Sequence, residues 1–190
     1  MRHFMSRSVL SVAVFVGALA LSGSAGATTW HNYKSGKCLS IKSPNQEGVQ
    51  LIIEDCAPVN APLLRQQWNL INDPTRFGYF NLFNGMSFPA PNSQQLVGVQ
   101  AAKMDNGRPI ILWRPTGELN QAWSLNLGPS DAAGKPCYWF GDAASPSTPM
   151  VMGVAAGTTT SGSPIIIWPL TMDAAHNFVV QPDQYWCPYN

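Results

Sequence analysis

Two stretches of this chain spell the same strand: GRPIILWRP at 107–115 and GSPIIIWPL at 162–170. Gly107, Pro109 and Trp113 each recur 55 residues on, as Gly162, Pro164 and Trp168. An indole at a strand end can pack a core, or it can offer an apolar face on which a ligand ring lies while nearby polar groups fix its orientation. A further copy of the strand, GVQLIIE at 48–54, carries Glu54 where the others carry Trp. A position that accepts Glu is not demanded by a core, so Trp113 and Trp168 are candidates for stacking. Catalytic residue types are scarce by contrast. Past the N-terminal segment the histidines are His31 and His176, far apart in sequence. There is no H-E-x-x-H, G-x-S-x-G, C-x-x-C or Gly-rich phosphate loop, and no carboxylate pair is marked out as a glycosidase couple. The reading therefore assigns no catalytic residue, no metal and no cofactor.

The elements that must position these residues begin after residue 27. Arg2 and Arg7 precede an apolar run from Val9 to Leu21, followed by Ala25 and Ala27 in an A-x-A arrangement. That is the pattern of a secretory signal peptide, spanning 1–27 with cleavage near Ala27. No later segment has the ~20 apolar residues of a transmembrane helix. The expected location is secreted, or periplasmic or otherwise extracytoplasmic, with 28–190 forming a single domain. Charged residues are 11% of the chain and the net charge is +1, falling by two once Arg2 and Arg7 are removed. Without a basic patch, nucleic acid is not an expected partner. Export permits disulfides. Cys38 and Cys56 flank one hairpin-like unit and are paired on that ground, which leaves Cys137 with Cys187. The first bridge closes a loop of roughly 19 residues, worth ~3 kcal/mol in the chain-entropy model.

The 55-residue offset extends beyond the strand. LVGV at 96–99 matches VMGV at 151–154, and CLSI at 38–41 matches both. Gln66-Gln67-Trp68 precedes Gln121-Ala122-Trp123 by 55, and the same offset leads on to His176-Asn177-Phe178. Three copies result, at about 30–72, 79–127 and 138–181. Their runs are short, branched or aromatic, and bounded by Gly, Pro, Asn and Ser, which reads as β. QLII and PIILW are continuously apolar, as suits strands buried on both faces. Pro109 and Pro164 stand at strand starts, where a missing N–H is tolerated. One copy could not bury its strands alone, whereas three closing on each other could.

A threefold repeat ending in Q-x-W, with C-L-x-[IV] near the start of a copy, resembles the ricin B-type β-trefoil lectin family over essentially all of 30–181. The resemblance implies an all-β fold of three pseudo-threefold repeats, with a closed six-stranded barrel capped by three hairpins. It implies that Trp68 and Trp123 are core residues, with Phe178 as their substitute. It also implies sugar sites built from an Asp, a strand-end aromatic and an Asn-Gln pair. The Asp positions fall on Ser40, Gly98 and Gly153, so all three carboxylates are lost. The first copy has Glu54 and Arg65-Gln66 at the other positions, and the third has Trp168 with Ala175-His176. The second keeps Trp113 with Asn120-Gln121, and Asp105 in the loop KMDNG could approach the same pocket. Asp105-Asn106-Gly107 is also a turn sequence in its own right.

The expected function is non-catalytic carbohydrate binding with a glycan or glycoconjugate as partner, by Trp stacking and amide hydrogen bonds. Trp113, Asn120 and Gln121 are central, with Asp105 and Trp168 as further candidates. One alternative is a protein-binding, delivery or scaffold subunit of a toxin or surface complex with vestigial sugar pockets. Another is a trefoil protease inhibitor, using a long loop at 57–65 or 86–95.

Overall fold

A computed structural model describes residues 27–42, 46–87, 94–145, 148–175 and 177–189. Residues 1–26 of the segment expected to be a signal peptide (1–27), His176 and the loop residues 88–93 lie outside the described residues. In the first copy the strands are β1 (Thr28–Asn32), β2 (Cys38–Ile41), β3 (Leu51–Glu54) and β4 (Gln67–Asn72). The second has β5 (Phe80–Asn84), β6 (Leu96–Val99), β7 (Ile110–Trp113) and β8 (Trp123–Ser130). The third has β9 (Pro136–Asp142), β10 (Met150–Val154) and β11 (Ile165–Pro169). It then adds a small hairpin, β12 (Thr171–Met172) with β13 (Phe178–Val179), before β14 (Trp186–Tyr189). The first and last main strands of the copies pair in a closed ring, β1–β4–β5–β8–β9–β14 and back to β1. Three hairpins, β2–β3, β6–β7 and β10–β11, complete a β-trefoil.

The repeated strand explains how the hairpins meet. Each of Gly48, Gly107 and Gly162 has a positive φ, of 84°, 78° and 88°. From that left-handed turn, which glycine adopts without Cβ strain, each N–H reaches into another copy. Gly48 donates to the Leu112 carbonyl (2.8 Å), Gly107 to Ile167 (2.9 Å) and Gly162 to Ile53 (2.7 Å). The Gly of one copy therefore grips the strand of the next, and three such links close the circle.

Trp68, Trp123 and Trp186 lie at most 1% exposed in the core. Their Nε1–H groups donate to the carbonyls of Leu39 (3.0 Å), Val97 (2.9 Å) and Met152 (3.3 Å). These equivalent bonds correct the reading of Phe178 as the third core aromatic. Phe178 is 45% exposed on the added hairpin. The third Q-x-W is Gln184-Tyr185-Trp186, 63 residues after Trp123 rather than 55, because β12–β13 is inserted before it. Ala175-His176 therefore does not occupy the amide position of the third copy. Cys38–Cys56 and Cys137–Cys187 are bonded as expected.

Candidate functional site

Strand register makes Glu54, Trp113 and Trp168 equivalent, opposite Cys38, Leu96 and Val151. Three residues before each core Trp stand Arg65, Asn120 and Asp183. Each set borders a cleft, of about 570, 430 and 320 Å³ in the first, second and third copies.

In the first copy the polar positions satisfy one another. Ser40 Oγ and Arg65 Nε both donate to Glu54 Oε2 at 2.8 Å. A carboxylate stands where the aromatic would be, held by the guanidinium where the amide would be. The remaining walls are largely apolar, including Leu63, Leu64 and Met86.

The second cleft contains Trp113, Asn120, Ala101, Thr116 and Glu118. Trp113 is half-buried, with the Arg114 guanidinium 5.7 Å from its ring centroid, within cation–π range. Gly48 from the first copy lies beside the ring, and a Cβ there would sit 4.0 Å from Cζ3. Asn120 is 9% exposed, and its Nδ2 donates to the Val99 carbonyl at 2.9 Å. Its Oδ1 is buried with no donor among the described residues. Gln121 is turned inward. Its Oε1 accepts from the Thr116 N–H and hydroxyl, both at 2.9 Å, and its Nε2 donates to Arg114 O at 2.8 Å. Gln66 makes comparable bonds to Ala57 and Asp55. The Gln of the motif thus closes the loop behind the cleft.

The third cleft was obscured by the inserted hairpin. Trp168 is 42% exposed there, beside Asp183, Gln181 and Lys34 from the first copy. Lys34 Nζ donates to the Gly157 carbonyl at 2.6 Å. Gly107 from the second copy packs against the Trp168 ring, where a Cβ would be 3.5 Å from Cζ3. The Asp105 loop therefore lies at Trp168 rather than at Trp113. Asp105 itself is paired with Arg108 and borders neither cleft. Asp183 had a sequence signal, since it precedes a written-out Q-x-W. The inserted hairpin places it off the 55-residue offset.

The lost carboxylates also have a steric side. A Cβ on Gly98 would stand 2.9 Å from Gln121 Cγ and 3.1 Å from the Asn120 carbonyl oxygen. On Gly153 it would stand 2.9 Å from Gln184 Cγ. The neighbouring chain has closed over both glycines. On the opposite wall of the same clefts, Ala101 (φ 58°) and Ala156 (φ 53°) hold the left-handed conformation. That conformation costs an alanine roughly 1–2 kcal/mol.

Residues 64–168 match the family model described as ricin-type beta-trefoil lectin domain-like. Among solved structures, the designed threefold-symmetric protein ThreeFoil is similar at 20% identity, with a TM-score of 0.65, covering 86% of this chain and 97% of that one. The exo-β-1,3-galactanase 1,3Gal43A from Clostridium thermocellum is similar at 20% identity and a TM-score of 0.64, covering 87% of this chain but 30% of that one. The Macrolepiota procera ricin B-like lectin, solved in complex with lactose, is similar at 14% identity and 0.56, covering 87% and 96%. Among curated proteins none matches.

Proposed function

The chain belongs to the ricin-type β-trefoil lectin-like family, and from that premise we propose that it is a secreted, non-catalytic carbohydrate-binding protein acting through its second and third copies. The observation that carries this reading is the pair of equivalent clefts, each with an accessible strand-end Trp beside a polar side chain: Trp113 with Asn120, and Trp168 with Asp183. The indole faces suit the C–H side of a sugar ring. Asn120 at the wall of the second cleft and the Asp183 carboxylate at the third supply polar groups for its hydroxyls. The first copy is left out because Glu54 is engaged by Ser40 and Arg65. Gln121 acts by holding the cleft wall, and Asp105 by shaping the turn beside Trp168. The lactose complex of the Macrolepiota lectin supports a sugar ligand for this fold. Two disulfides and the apolar N-terminal run support export. Two shallow sites on one chain would gain from a multivalent glycan surface.

The decisive experiment is a glycan array of the secreted protein beside Trp113→Ala, Trp168→Ala and the double variant. Each single variant should lose part of the signal and the double variant all of it. A blank array for the folded, unsubstituted protein would sink the lectin reading.

A second reading, a protein-binding or delivery module, is favoured by the space closed over Gly98 and Gly153. A blank array promotes this reading.

A further inference from the structure

The three core tryptophans are each paired across the ring with a polar residue: Trp186 with Asn32, Trp68 with Asn84, and Trp123 with Asp142. The two asparagines do the same work. Asn32 Nδ2 donates to the carbonyls of Asp183 (2.8 Å) and Tyr185 (3.2 Å). Asn84 Nδ2 donates to those of Arg65 (3.0 Å) and Gln67 (3.4 Å). Their Oδ1 atoms accept from the N–H groups of Ser35 and Met86. Each asparagine thus ties one copy to the backbone that carries the neighbouring copy's cleft residue.

At the third joint the amide is replaced by a carboxyl. Asp142 Oδ1 accepts from Ala144 N–H at 2.7 Å, in the manner of the asparagines. The next residue, Ala143, donates its N–H to the Ala122 carbonyl, as Tyr33 does to Tyr185. By this equivalence Asp142 Oδ2 occupies the Nδ2 place, facing the carbonyls of Asn120 and Ala122. Oδ2 is buried without a donor among the described residues. An ionised oxygen there would meet other acceptors, whereas a protonated one would complete the joint.

We propose that Asp142 is a positioning residue that works as a neutral carboxylic acid, its Oδ2–H donating to the Asn120 carbonyl and holding the 3-10 turn Leu119–Gln121 at the wall of the second cleft. Ionisation removes the donor and sets a charge against the carbonyls, so the turn loosens as pH rises. The assignment of that turn to a ligand site rests on the lectin reading, but the hydrogen bond does not. Burial, opposed only by the Ala144 N–H, raises the Asp142 pKa to about 7. The charged groups packed against the turn are the Arg76–Asp73 pair: Arg76 donates to the Gly117 carbonyl, and Asn81, bonded to Asp73, donates to the Gln121 carbonyl. β8 and β10 have no ionisable side chain, β9 adds Tyr138, β14 adds Tyr189, and the turn is preceded by exposed Glu118. A carboxyl raised from its ordinary value of 3.8 contributes stability that is full below about pH 4 and lost as pH rises through about 7.

Asp142→Asn installs the residue of the other two joints and is the conservative rescue. Carboxyl carbon NMR of the unsubstituted protein should show Asp142 titrating near neutrality. Amide exchange of Gln121 and Ala122 should match that of Asp142→Asn at pH 5 and be at least about tenfold faster than in the variant at pH 8. Asp142→Ala should exchange fast at both. A midpoint near 4 for Asp142, or an exchange ratio to Asp142→Asn that is flat with pH, overturns the proposal. None of these readouts contains a sugar, so a blank glycan array would end the lectin reading and leave this result standing.

Discussion

The clefts of the first and second copies share one strand frame and have opposite chemistry. In the first, Ser40, Glu54 and Arg65 bind one another. In the second the equivalent Gly98, Trp113 and Asn120 leave an indole lining the cleft and a buried amide oxygen without a donor among the described residues. The core beneath them hardly differs: Trp68 and Trp123 are both buried and both bond a carbonyl on the hairpin above. In this trefoil the core and the cleft are separable. The apolar face of each hairpin strand carries the fold, while one residue at the strand end and one before the core Trp set the chemistry of each cleft.

The largest test asks whether the third copy shares that division. Trp186→Ala should lose about 3–5 kcal/mol in urea denaturation, while Phe178→Ala should stay within about 0.5 kcal/mol. Equal losses would restore Phe178 to the core and undo the comparison. Next, Gly98→Ala should cost about 1–3 kcal/mol, because its methyl meets Gln121 Cγ and a fixed carbonyl. Ser40→Ala, where a Cβ is already accommodated, should cost less. Glu54→Ala removes an ion pair that is part-exposed on both sides and should cost about 1 kcal/mol, shrinking with added salt. At the small end, Ala101→Gly should raise stability or leave it level, within about 1 kcal/mol. The same change should speed amide exchange at Ala102 and Lys103, since the left-handed backbone loses its restraint.

Much of this was legible in order of chain. The strands, the threefold repeat, the disulfides and the core roles of Trp68 and Trp123 follow from patterns within a copy. Glu54 at a Trp position marks the strand end as one the core does not require. The third cleft was hidden by arithmetic. Gln184-Tyr185-Trp186 is spelled plainly, but an inserted hairpin moved it off the common spacing. Gln121 is ambiguous in sequence for another reason. A glutamine beside a site reads alike whether its amide faces the cleft or the loop behind it.

What the sequence by itself determined is the frame: short apolar strands repeated three times, whose shared core needs only that each copy resemble the others. Tertiary structure alone decided what lies against each cleft. Gly48 flanks Trp113, Gly107 flanks Trp168, Lys34 reaches the third cleft, and Asp142 pairs with Trp123. The physical reason is closure. When three copies complete a ring, each joint is met by a residue of a different copy, as when Asn32 bonds the Asp183 carbonyl 151 residues away. No spacing within one copy encodes such a partner.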